Sequence, residues 1–141
     1  MRISAKSRYA VASLTYMGQL SDNELVTLSA LSERLKISKI YLEQVFSLLR
    51  LSGIVTAAKG AQGGYRLTRP TSEITVLDVL AGTEAQLFDK PEKTVEMENI
   101  ERAMRSGLFE KLDAAVRGAL SSVTIADLAA LAGDGGYMYY L

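Results

Sequence analysis

Apolar residues recur along this chain at three- and four-residue steps in six stretches, and each such stretch predicts a helix with one buried face. Tyr9, Val11, Ala12, Leu14, Thr15 and Met17 make such a face over residues 3–17, with Lys6 and Arg8 near its start. Gly18 to Asn23 then supplies turn formers. Thr27 offers an N-cap to a short helix carrying Leu28, Leu31 and Leu35 that ends near Lys36 and Ile37. Ser38 offers the next N-cap, followed by Ile40, Tyr41, Val45, Leu48, Leu49 and Leu51, with Gly53 as a stop. The pattern then changes: β-branched Ile54-Val55-Thr56, a glycine-rich stretch to Gly64, and alternating Tyr65-Arg66-Leu67-Thr68 before Pro70 predict a hairpin.

Helical spacing resumes at Thr75 through Val76, Val79 and Leu80, and Gly82 is expected to close that helix. Residues 84–95, mixed, charged and containing Pro91, are expected to be a linker or variable region. Met97, Ile100, Met104, Leu108, Leu112, Val116 and Leu120 then form one stripe along a helix of about six turns, which Gly107 interrupts. Such a helix must bury its stripe, and it would overhang a core this small, so a second copy of the chain is the simplest partner. Folding back on its own chain is the alternative. Thr124 can cap a last helix through Leu128 and Leu131, with Gly133 as its stop and an aromatic tail after it.

The order helix, helix, short turn, helix, hairpin is that of a winged helix-turn-helix. The expected fold is therefore mainly α with a small β-hairpin wing: a DNA-binding domain over residues 1–82, a linker over 83–96, a dimerisation helix and C-terminal helix over 97–134, and a tail over 135–141. Charge sharpens this. Residues 1–70 hold 10 Lys/Arg against 4 Asp/Glu and residues 71–141 hold 6 against 12, so the net charge of zero conceals a basic front half and an acidic back half. A basic front half is the footprint of a polyanion binder.

The chain has no Cys and no His, which removes thiol and imidazole catalysis, disulfides and the usual zinc and iron–sulfur ligands together. The Asp and Glu side chains alternate with Lys and Arg on helical patterns, as on a solvated face, and the chain is not expected to be an enzyme, to carry a metal or to need a cofactor. No apolar run is long enough to span a bilayer, and the amino terminus has no signal-peptide pattern, so the expected location is cytoplasmic, away from membranes.

The third helix presents Ser38, Lys39, Tyr41, Glu43 and Gln44 at its N-terminal end, where side chains can reach base edges and backbone amides can face phosphates. Lys59-Gly60-Ala61-Gln62-Gly63-Gly64-Tyr65-Arg66 lacks the Gly-Lys-Ser/Thr ending of a nucleotide loop and precedes a strand, but suits a wing whose glycines let it approach a sugar-phosphate backbone. An interaction module, or a regulator answering another small molecule, is the alternative function.

The start MRISAKSRYA, the block SKIYLEQVFSLLRLSGIV, then KGAQGGYRL, ITVLDVL and LFEKLDAAVRGALSSVTIADL resemble, over nearly the whole chain, the IscR/NsrR/CymR (Rrf-two) group of bacterial transcriptional regulators. The resemblance implies a dimeric winged-helix repressor or activator, with repressor the favoured reading, on a palindromic operator in double-stranded DNA. DNA contacts would come from Arg2, Ser4, Lys6, Arg8 and Tyr9, from the third helix, and from Lys59, Gly60, Gln62, Gly63, Gly64 and Tyr65. The homodimer would be sealed by Ile100, Met104, Leu108, Leu112, Val116 and Leu120. Many members bind an iron–sulfur cluster through three cysteines ahead of the long helix; this chain has none there and resembles the cluster-free, CymR-like branch that controls cysteine and sulfur metabolism. In that branch cysteine synthase is the partner, and Tyr137, Met138, Tyr139, Tyr140 and Leu141 would form the tail that docks on it.

Overall fold

A computed structural model describes residues 2–60 and 63–138, with only the backbone of 134–138. Helix α1 spans Ala5–Gly18, and its N-cap Ser4 accepts from the Ser7 amide. Helix α2 spans Leu28–Leu35, capped by Thr27, whose hydroxyl accepts from the Ala30 amide. It ends where Lys36 enters the left-handed region at φ 57°, which turns the chain into α3, Lys39–Leu51, within the three residues Lys36–Ser38. Ser38 holds the N-cap position of α3, but its side chain makes no capping hydrogen bond, contrary to the expectation for it.

Strands β1 (Val55–Ala58) and β2 (Gly64–Leu67) pair antiparallel, Val55 opposite Leu67 and Ala58 opposite Gly64. The hairpin also has a flank that the sequence pattern did not indicate, because Val26 bridges Tyr65, with Val26 N–H to Tyr65 O at 2.9 Å and Tyr65 N–H to Val26 O at 2.8 Å. Helix α4 (Val76–Thr83) starts with a capping box in which Thr75 and Asp78 satisfy each other's backbone amides. Gly82 lies inside α4 instead of ending it. A β-carbon there would fall 2.0 Å from Ser52 Oγ, so this glycine permits the close approach of α4 to the end of α3.

After an irregular stretch the chain forms α5 (Glu98–Met104), a π turn over Arg105–Phe109 containing Gly107, α6 (Glu110–Ser121) and α7 (Ile125–Met138), which runs through Gly133 instead of stopping there. The π turn accounts for the four-residue spacing of the stripe. In an α-helix each four-residue step drifts by ~40° around the axis, and a turn closed by i→i+5 bonds takes back part of that drift.

Ala10, Leu14, Leu31, Leu42, Val45, Phe46, Leu49, Ile54, Ile74, Val79, Leu80 and Ile125 form the buried core. Ile125 brings the C-terminal helix into that core: Thr124 bridges Thr75, Ile125 N–H donates to Ile74 O at 2.9 Å, and α7 packs along α1. The stretch expected as a linker is also tied down. Leu87 packs against the core, the Arg117 guanidinium lies 4.1 Å over the Phe88 ring, and Glu101 accepts from the Thr94 and Val95 amides at 2.6 Å each. Those two amides, Val95 first, hold the Glu101 carboxyl below its ordinary pKa.

Candidate nucleic-acid interface

Helix α3 divides by its periodicity. Leu42, Val45, Phe46 and Leu49 are buried, while Lys39, Ile40, Glu43, Gln44, Ser47 and Arg50 are exposed on the other side. Four of the five residues expected to read DNA from this helix, Ser38, Lys39, Glu43 and Gln44, are thus open to solvent. Tyr41 is half-buried and meets Tyr9 of α1 edge-on, with centroids 5.0 Å apart and planes at 84°, so this pair braces the start of α3 against α1. Ile40 is the addition. Counted from the sequence as an inward apolar position, it is 71% exposed among the polar side chains of the same turn. Apolar side chains in a major groove contact the thymine methyl group, so Ile40 extends the candidate readout surface. Its place was legible once the helix is anchored on Leu42 and Val45, because position 40 then shares the face of 43, 44 and 47.

The wing is seated on α3 by Tyr65, whose ring lies 4.9 Å from that of Phe46 at 51°. Tyr65, expected as a DNA contact, therefore anchors the wing through its ring and through the Val26 bridge. Gly64 is required at that crossing: a β-carbon would stand 2.8 Å from Val26 O. Lys59, Gly60 and Gly63 are exposed at the tip, Gly60 with φ 135°, a conformation that suits glycine alone. Gln62 lies outside the described residues.

Arg2 and Arg8 are exposed and Lys6 half-exposed. The ion pairs among the described residues join Arg69 to Asp78, Lys93 to Glu96 and Glu98, and Arg117 to Asp113. Arg2, Lys6, Arg8, Lys39, Lys59 and Arg66 enter none of them, which leaves their charge available to a polyanion. Ser4 is differently placed. Its hydroxyl accepts from the Ser7 amide and donates to Glu84 at 2.6 Å, so it organises the basic segment from within. The Ser4 and Ser7 hydroxyls hold the Glu84 carboxyl below its ordinary pKa. Asp78 is lowered too, chiefly by the Thr75 backbone amide, with Arg69 adding to it.

The stripe of the long helix forms a second surface. Met97, Ile100, Leu108 and Leu112 are exposed, Leu112 by 55%; Met104 and Val116 are half-buried. Leu120, placed with them by spacing, instead packs on the core of its own subunit. Of the tail, Tyr139, Tyr140 and Leu141 lie outside the described residues, and Tyr137 and Met138 are described only as backbone at the end of α7.

Among the described residues no group of three or more His, Cys, Asp or Glu side chains is arranged to hold a metal ion, and no helix is long and apolar enough to cross a membrane.

Comparison with known proteins agrees with this geometry. The IscR regulator of Photorhabdus laumondii is 33% identical over 129 residues, 91% of this chain and 79% of its own length. The IscR of Cereibacter sphaeroides is 44% identical over 86 residues, 60% of this chain, and the match spans 56% of that relative's length. Among solved structures, CymR of B. subtilis, described as the global cysteine regulator, superposes with a TM-score of 0.77 at 29% identity, covering 93% of this chain and 98% of that one. The IscR of T. potens gives 0.75 at 31% identity, with 99% and 97% covered. Residues 3–131 match the Rrf2 family, described as iron-dependent transcriptional regulators, and the chain belongs to that family of winged-helix regulators.

Proposed function

We propose that this chain is a sequence-specific DNA-binding repressor that acts as a homodimer. The observation that carries the reading is the solvent-facing side of α3, where Lys39, Ile40, Glu43 and Gln44 stand together beside a wing seated on the same helix through Tyr65 and Phe46. Side chains of α3 would read bases in the major groove, with Gln44 suited to adenine and Glu43 to the cytosine amino group, while Arg2, Lys6, Arg8 and Lys59 would neutralise phosphates. Homodimerisation is supported by Ile100, Leu108 and Leu112, apolar and exposed on one long helix of a single subunit.

Iron does not enter this reading. The chain has no Cys and no His, and the carboxylates of residues 84–104 are hard ligands, unsuited to the thiolate-held clusters that iron-dependent regulators use. The donor set does not fit a cluster.

Control of cysteine metabolism is the finer part of the proposal, and the likeness to the B. subtilis cysteine regulator supports it. Cysteine synthase, captured by residues 137–141, is the partner that goes with it. One experiment addresses both parts: selection of bound fragments from the host genome in the cytoplasm-like presence and absence of cysteine synthase and its acetylserine substrate. Enrichment of a palindromic site next to sulfur-assimilation genes, altered by the enzyme, is the expected result. Binding that does not weaken as salt rises would refute the phosphate-contact reading, since counterion release makes such binding steeply salt-dependent.

A further inference from the structure

A single carboxylate joins the two ends of the winged domain. Glu84, the residue that closes α4 by donating its amide to Leu80 O at 2.7 Å, sends its side chain back to the start of α1. There one oxygen, Oε2, accepts from Ser4 Oγ at 2.6 Å, from the Ser4 amide at 3.3 Å, and from Ser7 Oγ. Ser7 is fully buried and lies 2.8 Å from Thr83 Oγ1, which itself donates to Val79 O. The contact therefore sits over a buried hydroxyl pair and is not a loose surface pairing. It spans 80 positions of sequence between Ser4 and Glu84.

Two consequences follow from that placement. The α1 amino terminus carries the positive end of a helix dipole, and a carboxylate there is favourable where a cation would not be. Ser4 is also the N-cap of α1, so whatever fixes Ser4 fixes the course of the chain between Arg2 and Arg8. On the other side, Glu84 is the last residue before the irregular stretch that leads to the exposed stripe at Met97 and Ile100.

Resting on the DNA-binding reading above, we propose that Glu84 is a positioning residue for phosphate contact: by holding Ser4 and Ser7 it sets the direction in which Arg2, Lys6 and Arg8 meet the duplex backbone, and links that direction to the segment leaving α4. An acidic group so near a basic arm would only weaken DNA binding by charge if it acted alone. Its removal is expected to weaken binding instead, because cations on a loose arm no longer release counterions as a set.

The test uses the full chain and a random-sequence duplex, with binding measured across a salt series for the parent, Glu84→Ala, Glu84→Gln and Asp78→Ala. Glu84→Ala should make the dependence of log K on log[salt] shallower by roughly 0.9 for each arm cation released. Glu84→Gln, which keeps an acceptor in the same place, should restore most of the slope. Asp78→Ala removes the capping box of the same helix and frees Arg69 without touching Ser4, so it should lower the urea midpoint and not make the slope shallower. A Glu84→Ala slope equal to the parent's, or an Asp78→Ala slope reduced as far as that of Glu84→Ala, would overturn the proposal while leaving the DNA-binding reading standing. A parent chain that binds the duplex without salt dependence would overturn both.

Discussion

Replacing Gly64 with Ala tests the seating of the wing, since the added methyl has nowhere to go. Its β-carbon would lie 2.8 Å from the Val26 carbonyl oxygen, 3.1 Å from the Val26 carbonyl carbon and 3.2 Å from Leu25 Cγ. The first two are backbone atoms and cannot rotate aside. Relief requires the strand to move off Val26, which breaks the paired bonds between Val26 and Tyr65 at 2.9 and 2.8 Å. Two net hydrogen bonds are worth about 1–3 kcal/mol, and the reduced freedom of Ala in the unfolded chain returns about 0.4–1 kcal/mol. The expected net loss is therefore about 1.3 kcal/mol at mid-range and at most about 2.6 kcal/mol, read as a lower midpoint in urea with unchanged slope. Gly118→Ala is the matched control: nothing lies within 4 Å of a β-carbon at Gly118, so helix propensity should stabilise that variant by about 0.5–1 kcal/mol. If Gly64→Ala gained stability as Gly118→Ala does, the close crossing of β2 with Val26 would be wrong, and with it the account of how Tyr65 seats the wing.

Ile40→Ala should relax base preference at one operator position by about 1 kcal/mol, roughly fivefold, in selections from randomised duplexes. Lys59→Ala should weaken all sequences alike, and identical selection profiles for the parent and Ile40→Ala would remove Ile40 from the readout surface. Leu112→Asp places a charge on a side chain 55% exposed in the single subunit, so sedimentation should show a folded monomer in place of a dimer; an unaltered dimer would move the interface off this helix. Acid should destabilise the chain through Asp78 and Glu84, whose ordinary values are 3.8 and 4.5 and whose folded values are lower. A depressed folded pKa contributes stability that is complete above the ordinary value and is lost as pH falls through the folded one. Urea midpoints should thus decline below about pH 4, and Asp78→Asn should flatten that decline; a decline as steep as the parent's would remove Asp78 from the account.

How much of this was legible in the sequence depended on whether the signal was local. Thr27 and Thr124 mark helix starts through bonds that close within three residues, and the helices they begin stand where periodicity placed them. Ambiguity entered where one residue type has two physical uses. Gly82 resembled a helix stop, but it is small because Ser52 presses on it; Gly133 resembled another, and the helix runs through it. Leu120 continued the exposed stripe by spacing and yet faces its own core, since periodicity tells a buried face from a wet one without saying whose surface buries it. The Val26 bridge is one residue long and has no period at all. The bond from Ser4 to Glu84 joins positions 80 apart and leaves no trace in any local window.

The placement of α7 changes what dimerisation would mean for DNA reading. Had the C-terminal helix belonged with the exposed helix alone, a flexible joint near residue 83 would let two winged domains swing independently. Instead Ile125 is fully buried in the core that Leu14 and Phe46 share, Thr124 bridges Thr75, and Leu120 packs beside them. Phe88 under Arg117 adds a contact near that same end, while at the other end Glu101 bonds the Thr94 and Val95 amides of the segment that precedes the helix. A helix anchored at its C-terminal end in the domain that carries α3 passes its own orientation on to α3. Were two such helices paired about a twofold axis, the distance between two recognition helices would be set by packed side chains and not by a tether, and half-site spacing would be read along with the bases.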